Sequence, residues 1–308
     1  MIESKNISLR FDKVILENIS LKIKKGKIVG IIGKSGAGKS SLLNILAGHL
    51  NPNEGTVLLN GSILQNASTL LVPGYDQIKI VSQDYQLDPY HTVEENLREA
   101  LLSLSENDKQ SRIKYLLELF RLKKVSHVKA INTSGGEQQR LSIARAIALK
   151  PDVLLLDEPF SNLDAELRSR LFAYILKLRK EENLTIIIVS HDGQDILGLS
   201  DHIHFLSNGK LSPKKTPFNA YYNLTHLTRS KLLGIVNQIS IQGKKIRFRP
   251  DEYKENGPVN VRFEYCLFLG NCYLNYFKSN QEEQIILSSS YPLSKLTKMS
   301  IAKKLEKS

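Results

Sequence analysis

The sequence predicts an α/β fold, with a parallel-sheet core carrying an antiparallel β subdomain and a helical subdomain, followed by a small all-β domain. Two runs, 153–156 (VLLL) and 185–189 (TIIIV), are apolar at every position but Thr185, as strands are when helices cover both faces of a parallel sheet. Between them, residues 165–180 place Leu167, Leu171, Ile175 and Leu178 at helical spacing, the pattern of a crossover helix. After Gly209 helical spacing gives way to runs of β-forming residues separated by turn signals.

In chain order, 7–9, 14–15, 20–23 and 55–60 read as short antiparallel strands. Residues 27–32 (KIVGII) form an apolar strand that ends in a glycine-rich turn, and 40–50 follow with Leu42, Leu43, Ile45 and Leu46 at helical spacing. Residues 92–122 are mostly helical in pattern, within a helical subdomain of about 84–150. The C-terminal strands are expected at 235–241, 245–249, 259–277 and 284–289, with turns at Gly243, Asn256-Gly257-Pro258 and Gly270-Asn271. A linker from Pro213 to about Thr228 would join domains spanning 1–225 and 226–308.

At 308 residues, the chain has room for a large domain plus a small appendage. With 41% hydrophobic and 24% charged residues it has the composition of a soluble globular protein. No stretch approaches the roughly 18 consecutive apolar residues of a membrane helix, and MIESKNISLRF lacks the apolar segment of a secretory signal. Cys266 and Cys272 have no neighbours at zinc spacing, which fits a reduced, cytoplasmic protein. The net charge of +12 is spread along the chain and no nucleic-acid module accompanies it, so nucleic acid is not an expected partner.

Gly33, Gly38, Lys39 and Ser40 satisfy G-x-x-x-x-G-K-[ST] within GKSGAGKS, a loop that leaves a strand and opens a helix. Backbone amides there would surround phosphate oxygens, with Lys39 neutralising the β- and γ-phosphates and the Ser40 hydroxyl ligating Mg²⁺. Asp157 and Glu158 follow the VLLL strand and point different ways. Asp157 would hold Mg²⁺ through water, while Glu158 would act as general base on the attacking water. His191, after TIIIVS, would hydrogen-bond the γ-phosphate, and the Gln83 amide, in IVSQD, would coordinate Mg²⁺.

The ordered set GKSGAGKS, Gln83, TSGGEQQR (133–140), VLLLDEP (153–159), SNLD (161–164) and His191 resembles the P-loop, Q-loop, signature, Walker B, D-loop and H-loop series of ABC (ATP-binding cassette) ATPases, over residues 2 to about 223. Thr133 stands where the family usually has Leu, and Glu137 replaces its usual Gln, but the Ser and glycines remain. The resemblance implies ATP with Mg²⁺ as cofactors, and an ATP-binding set of Phe11, Gly33, Lys34, Ser35, Gly36, Ala37, Gly38, Lys39, Ser40, Ser41 and Gln83. Lys39, Glu158 and His191 would be catalytic, and Ser40, Gln83 and Asp157 would serve the metal. It further implies a head-to-tail dimer in which Ser134, Gly135, Gly136, Glu137 and Asp164 complete the opposite subunit's site, and Phe11 stacks on adenine.

RFRPDEY (247–253) and FLG (268–270) resemble the TOBE domain, an OB-like barrel found on importers of polyamines, ferric iron, sulfate, molybdate and sugars; DEPFSNLDAELR (157–168) is similar to the same group. The implied protein is the ATP-hydrolysing subunit of a bacterial-type importer. It would work as a homodimer, or with a related ATPase subunit, beside two integral membrane permease subunits on the cytoplasmic face of the membrane, with a substrate-binding protein as indirect partner. The alternatives are a soluble ABC ATPase acting on ribosomes or DNA, which usually carries two cassettes or long coiled coils, and the ATPase subunit of an exporter, which lacks a TOBE-like tail.

Overall fold

The computed structural model describes residues 1–69, 73–82, 84–161 and 163–304. Two compact units divide the chain, Met1–Lys214 and Lys215–Ser308.

In the first unit, β1 (Ile2–Arg10) and β2 (Val14–Ile23) pair antiparallel. The expected pair of short strands at 14–15 and 20–23 is thus one strand. Asn18, in the left-handed region (φ 51°), lets it bulge, so that the pairing jumps from Ile7↔Ile19 to Leu9↔Leu16. β3 (Ile28–Ile32) then leads into α1 (Lys39–Ala47), and β4 (Glu54–Leu59) and β5 (Ser62–Ile63) complete an antiparallel sheet of order β2-β1-β4-β5. Next come β6 (Ile78–Val81) and three helices, α2 (Val93–Glu99), α3 (Glu106–Leu119) and α4 (Gly135–Ala146). The first and last of these are closed by capping boxes, Thr92 with Glu95 and Ser134 with Glu137.

β7 (Val153–Asp157), α5 (Ala165–Glu182), β8 (Thr185–Ser190), α6 (Gly193–Leu199), β9 (His202–Ser207) and β10 (Lys210–Leu211) finish the unit. The central sheet runs β10-β9-β3-β8-β7-β6, parallel from β9 to β6. Every residue of β3 and β8 is buried, as the uninterrupted apolar runs require. Parallel pairing brings the carboxyl ends of β3, β7 and β8 to one edge, where Gly33, Glu158 and His191 begin the next segments. β9 and β10, absent from the sequence reading, form a hairpin on Asn208-Gly209, both at positive φ, as tight primed turns demand. Among the described residues, no helix is long and apolar enough to cross a membrane.

The second unit opens with α7 (Pro217–Tyr222) and α8 (Leu227–Lys231), in and just beyond the linker expected from Pro213 to about Thr228. It begins at Lys215 instead of 226, because the buried Arg249 guanidinium donates to the carbonyls of Tyr221 (2.8 Å), Ser230 (3.0 Å), Gly234 (3.0 Å) and Ile235 (2.9 Å), tying this segment to the β domain. β11 (Asn237–Ile241) pairs with β12 (Lys244–Phe248), and β13 (Tyr253–Phe268), β14 (Tyr273–Ser279), β15 (Gln284–Ser289) and β16 (Lys298–Ile301) form an antiparallel sheet of order β15-β14-β13-β16. Phe248, Val261, Phe277, Ile285, Leu287 and Met299 fill its core, giving the small OB-like β domain. Asn256-Gly257-Pro258 does not form the expected turn: it bulges within β13, where Glu255 and Val259 both face Met299 of the unforeseen β16. Glycine is required there, since a Cβ on Gly257 would sit 2.3 Å from the Ser300 amide nitrogen.

Candidate active site

The loop after β3 is shaped by three glycines. A Cβ on Gly33 would meet the Leu206 carbonyl oxygen at 2.5 Å, and Gly36 (φ 76°) and Gly38 (φ 95°) adopt left-handed backbone. Gly38 caps α1 without a side chain, and the amides of Ser35, Gly36, Gly38, Lys39 and Ser40 engage no backbone carbonyl among the described residues. A row of free donors at a helix N-terminus is a seat for an anion. Lys34 and Ser35 are exposed, and Ala37 closes the turn through its amide on the Lys34 carbonyl (3.1 Å).

Lys39 is the buried cation of the loop. Its Nζ donates to the carbonyls of Gly33 (3.0 Å) and Lys34 (3.3 Å) and lies 3.2 Å from Oε1 of Glu158. Glu158 leaves β7 at φ 51°, its amide held by the Val189 carbonyl at 3.0 Å. Its Oε2 accepts from the His191 amide (3.2 Å) and contacts His191 Nδ1 (2.7 Å). Cation, carboxylate and imidazole therefore form one chain of contacts, in an open cleft of ≈ 660 Å³ lined also by Ser35, Gly36, Gly38, Ser40, Ser41 and Asp157.

Asp157 fits a hard divalent cation. Its Oδ1 is buried and has no hydrogen-bond partner among the described residues, and the Ser40 side chain is near enough to favour the ionised carboxyl. Burial raises its pKa, the Glu158 charge adds to the rise, and the Ser40 hydroxyl and Lys39 oppose it. An orphaned carboxylate oxygen beside a hydroxyl, facing the phosphate seat, is the donor set Mg²⁺ takes when substrate oxygens and water supply the rest. No cluster of three or more His, Cys, Asp or Glu suited to a metal occurs among the described residues.

Other expected site residues lie apart. Phe11 is 63% exposed at the β1–β2 turn and is not among the cleft-lining residues, although Lys13 and Ile15 just beyond it are. Those two were not anticipated from sequence, since neither belongs to a motif. Ser134, Gly135 and Asp164 are exposed, and none of Ser134, Gly135, Gly136, Glu137 and Asp164 lines this cleft. Ser134 is fixed by Glu137, whose Oε2 accepts from both its amide (2.9 Å) and its hydroxyl (2.8 Å). Gly136 packs beneath Leu167 of α5, and Gln139 donates to the Pro159 carbonyl, so the signature helix is anchored to the segment after β7. Gln83, expected as a metal ligand, lies outside the described residues.

A glycine-rich loop between a buried parallel strand and a helix, with a buried Lys and two carboxylates at the end of a second strand of the same sheet, β7, defines a P-loop nucleotide hydrolase. The family model described as ABC transporter matches residues 16–161. The spermidine/putrescine import ATP-binding protein of Thermotoga maritima is 36% identical over 82% of this chain and 67% of its own length. The sulfate/thiosulfate import ATP-binding protein of Mesostigma viride is 37% identical over 82% of this chain and 73% of its own. An ATP-binding cassette solved as a dimer in a post-hydrolysis state with ADP and Pi is 29% identical, with a TM-score of 0.63, covering 70% of this chain and 99% of that one. The chain belongs to the ATP-binding subunits of ABC transporters, and it is an ATPase.

Proposed function

We propose that this chain is the ATP-hydrolysing subunit of an ABC importer. It would act as a head-to-tail dimer on the cytoplasmic face of the membrane, against two integral membrane permease subunits supplied by a substrate-binding protein. The observation that carries the reading is the Lys39–Glu158–His191 chain, with Asp157 beside it, at the edge shared by three parallel strands. The import role draws on the relatives, both named as import ATP-binding proteins. Their cargoes, a polyamine and a divalent oxyanion, are opposite in charge at nearly equal identity to this chain, so cargo choice is assigned to the permease and binding protein.

ATP would lay its phosphates along the free amides of Ser35, Gly36, Gly38, Lys39 and Ser40, with Lys39 against the β- and γ-phosphates. Mg²⁺, near Ser40 and Asp157, would supply charge neutralisation at the phosphate oxygens. Glu158 would take a proton from water as the water oxygen attacks the γ-phosphorus and the bond to ADP breaks, releasing ADP and phosphate. His191 would hold the γ-phosphate. Ser134 and Gly135, exposed at the start of α4, and Asp164, exposed at the start of α5, would close on the partner's nucleotide. ATP then contacts both subunits only in the closed dimer and shifts the population towards it.

The test is affinity purification of the tagged full-length chain from detergent-solubilised membranes of its own cells. Integral membrane permease subunits should come with it, and sedimentation should show a dimer that depends on ATP. Recovery of ribosomal proteins or DNA in place of membrane proteins would overturn the importer reading.

A further inference from the structure

Arg168 lies on the first turn of α5, its amide bonded to the carbonyl of the N-cap Asp164 at 2.9 Å. Its guanidinium Nη1 reaches across to α6, 3.4 Å from Asp192 Oδ2 and 3.5 Å from Asp195 Oδ1. Asp195 is only 2% exposed, and its other oxygen accepts from the Ser190 hydroxyl at 3.0 Å. That hydroxyl in turn accepts from the Asp192 amide at 3.0 Å. His191 is therefore bracketed: Ser190 and Asp192 on either side are bonded to each other, and both are tied to the Arg168–Asp195 pair. Ser190 also offers its carbonyl to the Gly33 amide, 3.4 Å away at the head of the phosphate loop.

We infer that Arg168 and Asp195 are positioning residues for hydrolysis, holding the His191 turn against Glu158 and linking it to the start of α5, where Asp164 sits. Neither side chain lines the nucleotide cleft, so the effect passes through Ser190 and Asp192. Stability gives no reason for the arrangement, since a buried ion pair returns little or nothing against the desolvation of its charges. Geometry does: Asp192 caps α6 through the Gln194 amide at 2.9 Å, leaving one short turn to carry His191 from β8 to α6. Loss of Arg168 frees that turn while leaving Lys39 and the loop amides in place.

The inference rests on the proposed roles of His191 and Glu158, and Mg²⁺-dependent ATP hydrolysis by the full-length chain tests both levels. Arg168→Ala should lower kcat about tenfold with KM for ATP changed less than about twofold, the signature of a displaced reacting group and not of lost binding. Arg168→Lys should recover most of the rate. Asp195→Asn should resemble Arg168→Ala, and the double variant should be no slower than the slower single one, as for a coupled pair. The control is Arg179→Ala on the same helix, which removes contacts to Asp201 (3.0 Å) and the Gly26 carbonyl (3.0 Å) far along α5 from Asp164. Equal kcat for Arg168→Ala and Arg179→Ala, or losses that multiply in the double variant, would overturn the inference. Should Arg168→Ala fail to fold, Arg168→Gln and Asp195→Asn are read against the same criteria. Glu158→Gln separates the levels: if it hydrolyses ATP at the parent rate, the site reading fails, whereas an inactive Glu158→Gln beside an unaffected Arg168→Ala sinks only this inference.

Discussion

Glu158 lies 3.2 Å from Lys39, the cation assigned to the phosphates, with both side chains largely buried (7% and 14% exposed). A phosphate seated on Lys39 would compete with that pair. At an effective dielectric of about 20, two charges 3.2 Å apart attract by about 5 kcal/mol. Most of this is returned by desolvation, and Gln would still accept a hydrogen bond, so about 1–2 kcal/mol is the net effect of removing the charge. Glu158→Gln should therefore bind ATP about tenfold more tightly than the parent, while hydrolysis falls by about 10²–10⁴-fold as the general base is lost. Titration with a fluorescent ATP analogue, alongside phosphate release, reads both quantities on one preparation. Unchanged affinity would show that the Lys39–Glu158 contact does not compete with nucleotide, and an unchanged rate would remove Glu158 from the chemistry.

Asp157→Asn should shrink the gain in ATP affinity on adding Mg²⁺ over excess EDTA by about tenfold, read by calorimetry; an undiminished gain would argue against Asp157 as the metal's partner. For Asp195, burial is the main cause that lifts the carboxyl pKa from 3.8 to about 6, against Arg168 and the Ser190 hydroxyl and with the Asp192 and Glu158 charges. A raised folded-state pKa makes stability greatest below the unfolded value and lower as pH climbs to about 6, by up to about 3 kcal/mol. Denaturant unfolding from pH 4 to 7 should show this decline in the parent and a flatter profile in Asp195→Asn; parallel profiles would exclude it. Arg249→Met should leave four carbonyls without their donor and destabilise the second unit by about 3–5 kcal/mol. Hydrogen exchange at β12 and β14 should then accelerate, and unchanged protection would contradict the tether described for α7 and α8.

The phosphate loop, the two carboxylates and His191 were legible in the sequence because each is adjacent to an apolar run whose strand character is unambiguous. Parallel pairing then had little freedom in where to put them. What escaped were contacts made by residues with no local signature. Arg249 looks like any surface arginine until four carbonyls surround it, and Arg168 and Asp195 are 27 positions apart with nothing local to connect them. Asn256-Gly257-Pro258 misled for a different reason. Its residues favour a turn locally, but pairing with Met299 on a distant strand turns that preference into a bulge. Lys13 and Ile15 reach the cleft only because the antiparallel sheet carries them there, a placement no spacing rule contains.

The three helices α2, α3 and α4 leave the central sheet after β6 and re-enter it at β7, and these two strands are immediate neighbours, paired from Ile78↔Val153 to Val81↔Leu156. Because the two strands are parallel, the excursion leaves at the carboxyl end of β6 and returns at the amino end of β7, one strand length back along the sheet. Ahead of Ser134, its length and surface can change without moving the strands that hold Gly33, Glu158 and His191 together.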